Sequence, residues 1–126
     1  MSNNNEIKNF EKSYELIKFE DGEFSLDVNV SPSEDTVWLT QAQMAELYER
    51  DLSVISKHIK NILNEMECSE RNLQKMQITN SDKPIFIYDL EMILSVGYRV
   101  KSKRGIIFRR WANSILKQYL NILSMH

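Results

Sequence analysis

The twenty residues TQAQMAELYERDLSVISKHI, positions 40–59, contain two helical stripes separated by one break at Glu49. In the first stripe Met44, Leu47 and Tyr48 recur at helical spacing. Thr40 stands just before it with Gln43 three residues on, the spacing at which a hydroxyl and an amide side chain cap a helix reciprocally. In the second, expected over roughly 51–66, Ile55, Ile59, Ile62, Leu63 and Met66 share one face and Asp51 is placed to cap the start. Two short helices joined this tightly form either an ordinary helical hairpin or a helix-turn-helix. In the latter the second helix buries one stripe and leaves its N-terminal outer face free. Counting from Gln41, Ala45 is the small residue at the crossing, and Ile55 and Ile59 are the inward positions of the second helix. The turn, where glycine is usual, has Glu49, and the next position has Arg50 instead of a small apolar residue. Glu49 must then take a positive φ, which a side chain tolerates at some cost.

The flanks favour the helix-turn-helix over the ordinary hairpin. Residues 14–30 read as a β-hairpin turning at Asp21-Gly22, since Phe24 to Val30 alternates apolar and polar residues. After the break at 31–35, Val37-Trp38-Leu39 is a short strand. Leu73–Thr79 and Pro84–Tyr88 are two more strands around a polar tip, Asn80-Ser81-Asp82-Lys83. Strand, helix, helix, strand, tip, strand is the order of a winged helix, with 79–84 as the wing. Asp89 caps an apolar helix over Leu90–Tyr98. Ser102 begins a last one, with Phe108, Trp111, Ala112, Ile115, Tyr119 and Ile122 inward and Arg109, Arg110, Asn113 and Lys117 wet. The predicted fold is α+β: a winged-helix-like helix-turn-helix with an N-terminal β-hairpin and added C-terminal helices. Residues 1–13 are expected to form a flexible N-terminus and 14–126 a single domain.

Charge is unevenly placed. Residues 1–51 hold twelve acids and four bases, and residues 52–126 hold six acids and twelve bases. From Arg99 to Lys117 there are seven bases and no acid. Such a run either attracts a polyanion or balances the acidic half across the fold. Cys68 is the only cysteine, so no internal disulfide forms, and His58 and His126 are the only histidines, so no metal site is expected. No phosphate-binding loop or nucleophile elbow appears, and neither enzymatic activity nor a cofactor is expected. No run approaches the ~18 apolar residues of a membrane span. The N-terminus is unlike a signal peptide, so a cytoplasmic protein with no membrane partner is expected.

Several motifs are familiar together. Val37-Trp38-Leu39-Thr40-Gln41, Gln43-Met44-Ala45-Glu46-Leu47 and Ile55-Ser56-Lys57-His58-Ile59-Lys60-Asn61-Ile62 resemble the RhuM virulence-protein family. So do Tyr88-Asp89-Leu90-Glu91-Met92-Ile93, Ser95-Val96-Gly97-Tyr98-Arg99-Val100, Ser102-Lys103-Arg104-Gly105, and Phe108-Arg109 with Trp111-Ala112. The resemblance spans about 36–120. It implies a bacterial or mobile-element protein with an N-terminal DNA-binding-like region, similar to those of phage antirepressors, in a chain longer than this one. Glu49 and Arg50 depart from the glycine and valine-like residue usual in the family's turn.

The expected partner is double-stranded DNA, read in the major groove by helix 52–64 of a transcriptional regulator, with a homodimer through the last helix to pair half-sites. Ser53, Val54, Ser56, Lys57 and Lys60 form the outward N-terminal face of that helix, flanked by His58 and Asn61, with hydrogen-bonding groups for base edges and phosphates and a methyl surface for thymine. Lys83 at the wing tip and Arg99, Lys103 and Arg104 in the basic loop are the expected phosphate contacts. The alternative is a protein-interaction module whose basic segment docks an acidic partner or a missing C-terminal domain.

Overall fold

The computed structural model describes residues 14–76 and 83–124. β1 (Glu15–Asp21) and β2 (Phe24–Ser31) pair antiparallel from Glu15↔Val30 to Asp21↔Phe24. Gly22 takes φ 62° in their turn, as a two-residue hairpin loop requires. The alternation in β2 has its expected effect: Leu26, Val28 and Val30 are buried while Ser25 and Asp27 are exposed. β3 (Thr36–Thr40) pairs with β2 on one side and with β5 (Ile85–Tyr88) on the other. β4 (Leu73–Met76) closes the far edge, giving one antiparallel sheet in the order β1-β2-β3-β5-β4. Two helices, α1 (Gln41–Tyr48) and α2 (Leu52–Asn64), stand between β3 and β4 in the chain. Two more, α3 (Leu90–Arg99) and α4 (Lys103–Ser124), follow β5. This is the α+β, winged-helix-like order, with the hairpin added before it and α4 after it.

Two helix starts obey their capping residues, whereas Asp51 stands at the N-cap of α2 without a side-chain hydrogen bond to its first turn. The Thr40 hydroxyl accepts from the Gln43 backbone N–H, and the Gln43 side chain accepts from the Thr40 N–H. Asp89 accepts from the Met92 N–H at the start of α3. Its amide partner Asn72 is buried and donates to Asp89 and to Glu91. Burial raises the Asp89 carboxyl above its usual value, against the bonds from Met92 and Asn72 that pull it down.

Three α-helix ends among the described residues turn through left-handed residues that are not glycine. Glu49, Met66 and Lys101 have φ of 54°, 59° and 56°. In each case the next residue's N–H reaches back over the last turn: Arg50 to the Ala45 carbonyl, Glu67 to Ile62 and Ser102 to Gly97, each at 3.1 Å. Met66 is therefore 86% exposed and lies outside α2, not at the end of its buried stripe.

One hydrophobic cluster joins the sheet to all four helices. Met44, Leu47 and Tyr48 of α1 and Ile55, Ile59 and Ile62 of α2 enter it as their spacing predicts. In α4 the buried residues are Phe108, Ala112 and Leu116, with Trp111, Ile115 and Tyr119 half-buried. Ile122, expected inward, is exposed, since the last described α4 residue packed on the core cluster is Tyr119. The Phe19 ring meets Phe108 and Trp111 edge-on at 5.2 and 5.3 Å, which seats the hairpin on α4. Of the strand expected over 73–79, Leu73–Met76 is described as strand and 77–79 lie outside the described residues, and of the wing over 79–84 only Lys83 and Pro84 fall within them.

Candidate nucleic-acid interface

The candidate interface is built on the turn between α1 and α2. Glu49 holds the left-handed position there, and Arg50 does work that a small apolar residue cannot. Its guanidinium donates to the Tyr48 carbonyl at 3.0 Å, to Glu49 at 3.3 Å and to Val100 at 2.9 Å. It thus neutralises the negative end of α1 and ties it to the end of α3. Tyr48, buried at the same junction, donates to the Ile93 carbonyl at 2.6 Å, and burial raises its phenol well above its ordinary value.

With Ile55, Ile59 and Ile62 inward, the opposite side of α2 is left to solvent. Ser53, Lys57 and Lys60 are exposed, and Ser56 and Asn61 are half-buried at its flanks. Lys57 and Lys60 have no ion-pair partner among the described residues. Val54 is half-buried against the core, so its methyls serve packing first. His58 is also half-buried, and its Nδ1 has no hydrogen-bond partner among the described residues. Beside the start of α2, Leu52 and Phe86 are 52% and 39% exposed and line a groove of about 340 Å³ with Gln41, Ala42, Pro84 and Ile85. That apolar border was not foreseen, because Leu52 and Phe86 meet only through the tertiary fold.

The basic loop divides into two sets. Arg99 donates to Glu65 at 3.1 and 3.2 Å and to Glu67 at 2.8 Å, which latches the end of α2 to α3. The Arg99 hydrogen bond holds the Glu67 carboxyl below its usual value. Arg104 donates to Asp21 at 3.2 Å and to the Leu47 carbonyl at 3.1 Å, and its guanidinium lies 4.2 Å from the Phe24 ring centroid. These two arginines are engaged inside the fold: Arg104 balances the acidic half through Asp21 and Glu49, whereas the partners of Arg99 lie in the basic half itself. Lys103 is exposed at the first position of α4, beside Lys101 and near Arg109, both also exposed. Lys83 is exposed next to β5 and takes part in an interaction of its own. The fold therefore gathers Ser53, Ser56, Lys57, Lys60 and Asn61 on α2 and leaves Lys103 as the one outward cation of the predicted loop set.

No helix among the described residues is long and apolar enough to cross a membrane. Residues 66–122 match the model of the Virulence protein RhuM family. The matched segment begins just after α2 and runs through β4, β5, α3 and most of α4. No curated protein and no solved structure matches the chain.

Proposed function

We propose that this chain, whose residues 66–122 match the RhuM family model, binds double-stranded DNA by laying α2 in the major groove. The observation that carries this reading is the free face of α2. Ser53, Lys57 and Lys60 stand out from a helix anchored on its other side by three buried isoleucines and set at a tight turn after α1. Serine, asparagine and lysine supply donors and acceptors for base edges and phosphates. Lys83 beside β5 adds a flanking phosphate contact. The protein acts as a regulator of transcription of mobile-element or virulence type, working as a homodimer because one small module on one half-site binds weakly.

The test is anisotropy of labelled random-sequence duplex DNA titrated with the protein at low and at physiological salt. Binding is expected to weaken steeply with salt, by a log–log slope of about 0.9 per phosphate contacted. Lys57→Glu with Lys60→Glu is expected to abolish binding without changing the circular-dichroism melt. A folded protein that binds no duplex even at low salt overturns the reading.

A further inference from the structure

The crevice between α3 and α4 does not belong to the α2 surface. Its walls are Leu94, Gly97, Tyr98, Gly105 and Ile106, its rim is Lys101, Lys103 and Arg109, and its volume is about 340 Å³. No acid lines it. The three cations have no ion-pair partner among the described residues, unlike their sequence neighbours Arg99 and Arg104. Tyr98 is 84% exposed and Ile106 52%. An exposed tyrosine and isoleucine lining the same crevice as three outward cations give it two chemistries at once, apolar contact and anion attraction.

Those two chemistries select the occupant. A small-molecule site buries most of its ligand, ~70–90% of the surface, and walls as open as Tyr98 cannot do that. A duplex backbone satisfies the cations but presents mainly phosphate and sugar, a poor cover for an exposed Tyr98 and Ile106 together. A peptide with an aromatic or branched apolar anchor flanked by carboxylates satisfies both, and tyrosine and arginine are the residue types on which such contacts concentrate. We infer that the α3–α4 crevice docks an acidic peptide segment of a partner protein, with Tyr98 and Ile106 receiving its apolar anchor and Lys101, Lys103 and Arg109 receiving its carboxylates. The inference uses none of the α2 residues and holds whether or not α2 meets DNA.

The experiment is selection of a phage-displayed random-peptide library on the full chain, followed by anisotropy with the synthesised winning peptides. The winners are expected to carry at least two acids beside a Phe, Leu or Ile. Their affinity is expected to fall at least ten-fold in Lys103→Glu/Arg109→Glu, in the milder Lys103→Gln/Arg109→Gln, and in Tyr98→Ala. It is expected to be unchanged in Lys57→Glu/Lys60→Glu. All these side chains are exposed, and an unchanged melting temperature checks that each variant folds. Winners without acids, winners indifferent to the crevice substitutions, or no enrichment over bare support overturn the inference. So does loss of duplex binding in Lys103→Gln/Arg109→Gln, which would assign these cations to DNA.

Discussion

Gly97 sits where the backbone of α3 meets Tyr48, and a Cβ built there would lie 2.6 Å from the tyrosine Oη and 2.8 Å from its Cζ. Both partners are buried, so neither can move aside cheaply. Gly97→Ala is expected to cost about 1–3 kcal/mol by overpacking, read as a lower urea midpoint. Tyr48→Phe in the same chain removes the closer atom and is expected to restore part of that loss, a coupling that a double-mutant cycle measures. Glu49 is the opposite case. It holds a left-handed φ that an L side chain adopts at about 1–2 kcal/mol, while glycine costs about 0.5–1 kcal/mol in chain entropy. Glu49→Gly is therefore expected to raise stability by up to about 1 kcal/mol, seen as a higher melting temperature; a lower one would mean that the 3.7 Å pair with Arg104 outweighs backbone strain. The sequence made Glu49 legible, because the break in the stripe marks the turn. The partner that Gly97 meets was not legible, since Tyr48 lies far away in the chain.

At the scale of elements, the boundaries were legible wherever a cap or a turn residue marked them: Thr40 with Gln43, Asp89, and Gly22. They were less so where a helix ends in a residue of no special type, as at Met66. The run from Arg99 to Lys117 was legible as charge but not as surface. The acids that engage Arg99 and Arg104 sit 34 and 83 residues earlier, so only the folded chain shows which bases are spent. The latch of Arg99 on Glu65 and Glu67 has a pH signature. The lowered Glu67 carboxyl favours the folded state above its ordinary value of 4.5, and that contribution is lost as pH falls through the lowered folded value. Asp89, raised by burial, runs the other way, weakening the fold at neutral pH and ceasing to do so as acid protonates it. Melting temperature against pH in Arg99→Gln is expected to show a flatter acid limb than in the unaltered chain; an identical limb would remove the latch from the account.

Across the whole molecule, the acidic and basic halves meet at Arg104. It holds Asp21 of the hairpin, the Leu47 carbonyl of α1 and the face of Phe24 from the start of α4. Arg104→Ala is expected to cost about 1–3 kcal/mol through lost charged hydrogen bonds and ring contact and to leave duplex affinity unchanged. Lys57→Glu is expected to do the reverse. An Arg104→Ala protein with native stability and weakened DNA binding would transfer that arginine to the interface. The fold class was readable from hydrophobic period and element order, which are local. The sorting of cations into structural and outward sets was not, because it depends on which distant carboxylates the topology delivers.

The five strands form one sheet through a single short seam, Leu39↔Tyr88 and Thr40↔Ile87, whose two sides are separated in the chain by the whole helix-turn-helix. Every other strand pairing is made between neighbours in sequence. In kinetic terms, local hairpins form early and the β3–β5 encounter bears the entropy of closing the longest loop. Refolding is then gated by that encounter. Ile87→Val, a loss of about 0.5–1.5 kcal/mol, is expected to slow folding more than it speeds unfolding. If it acts on unfolding alone, the seam closes after the barrier and the hairpin and helical units reach it already formed.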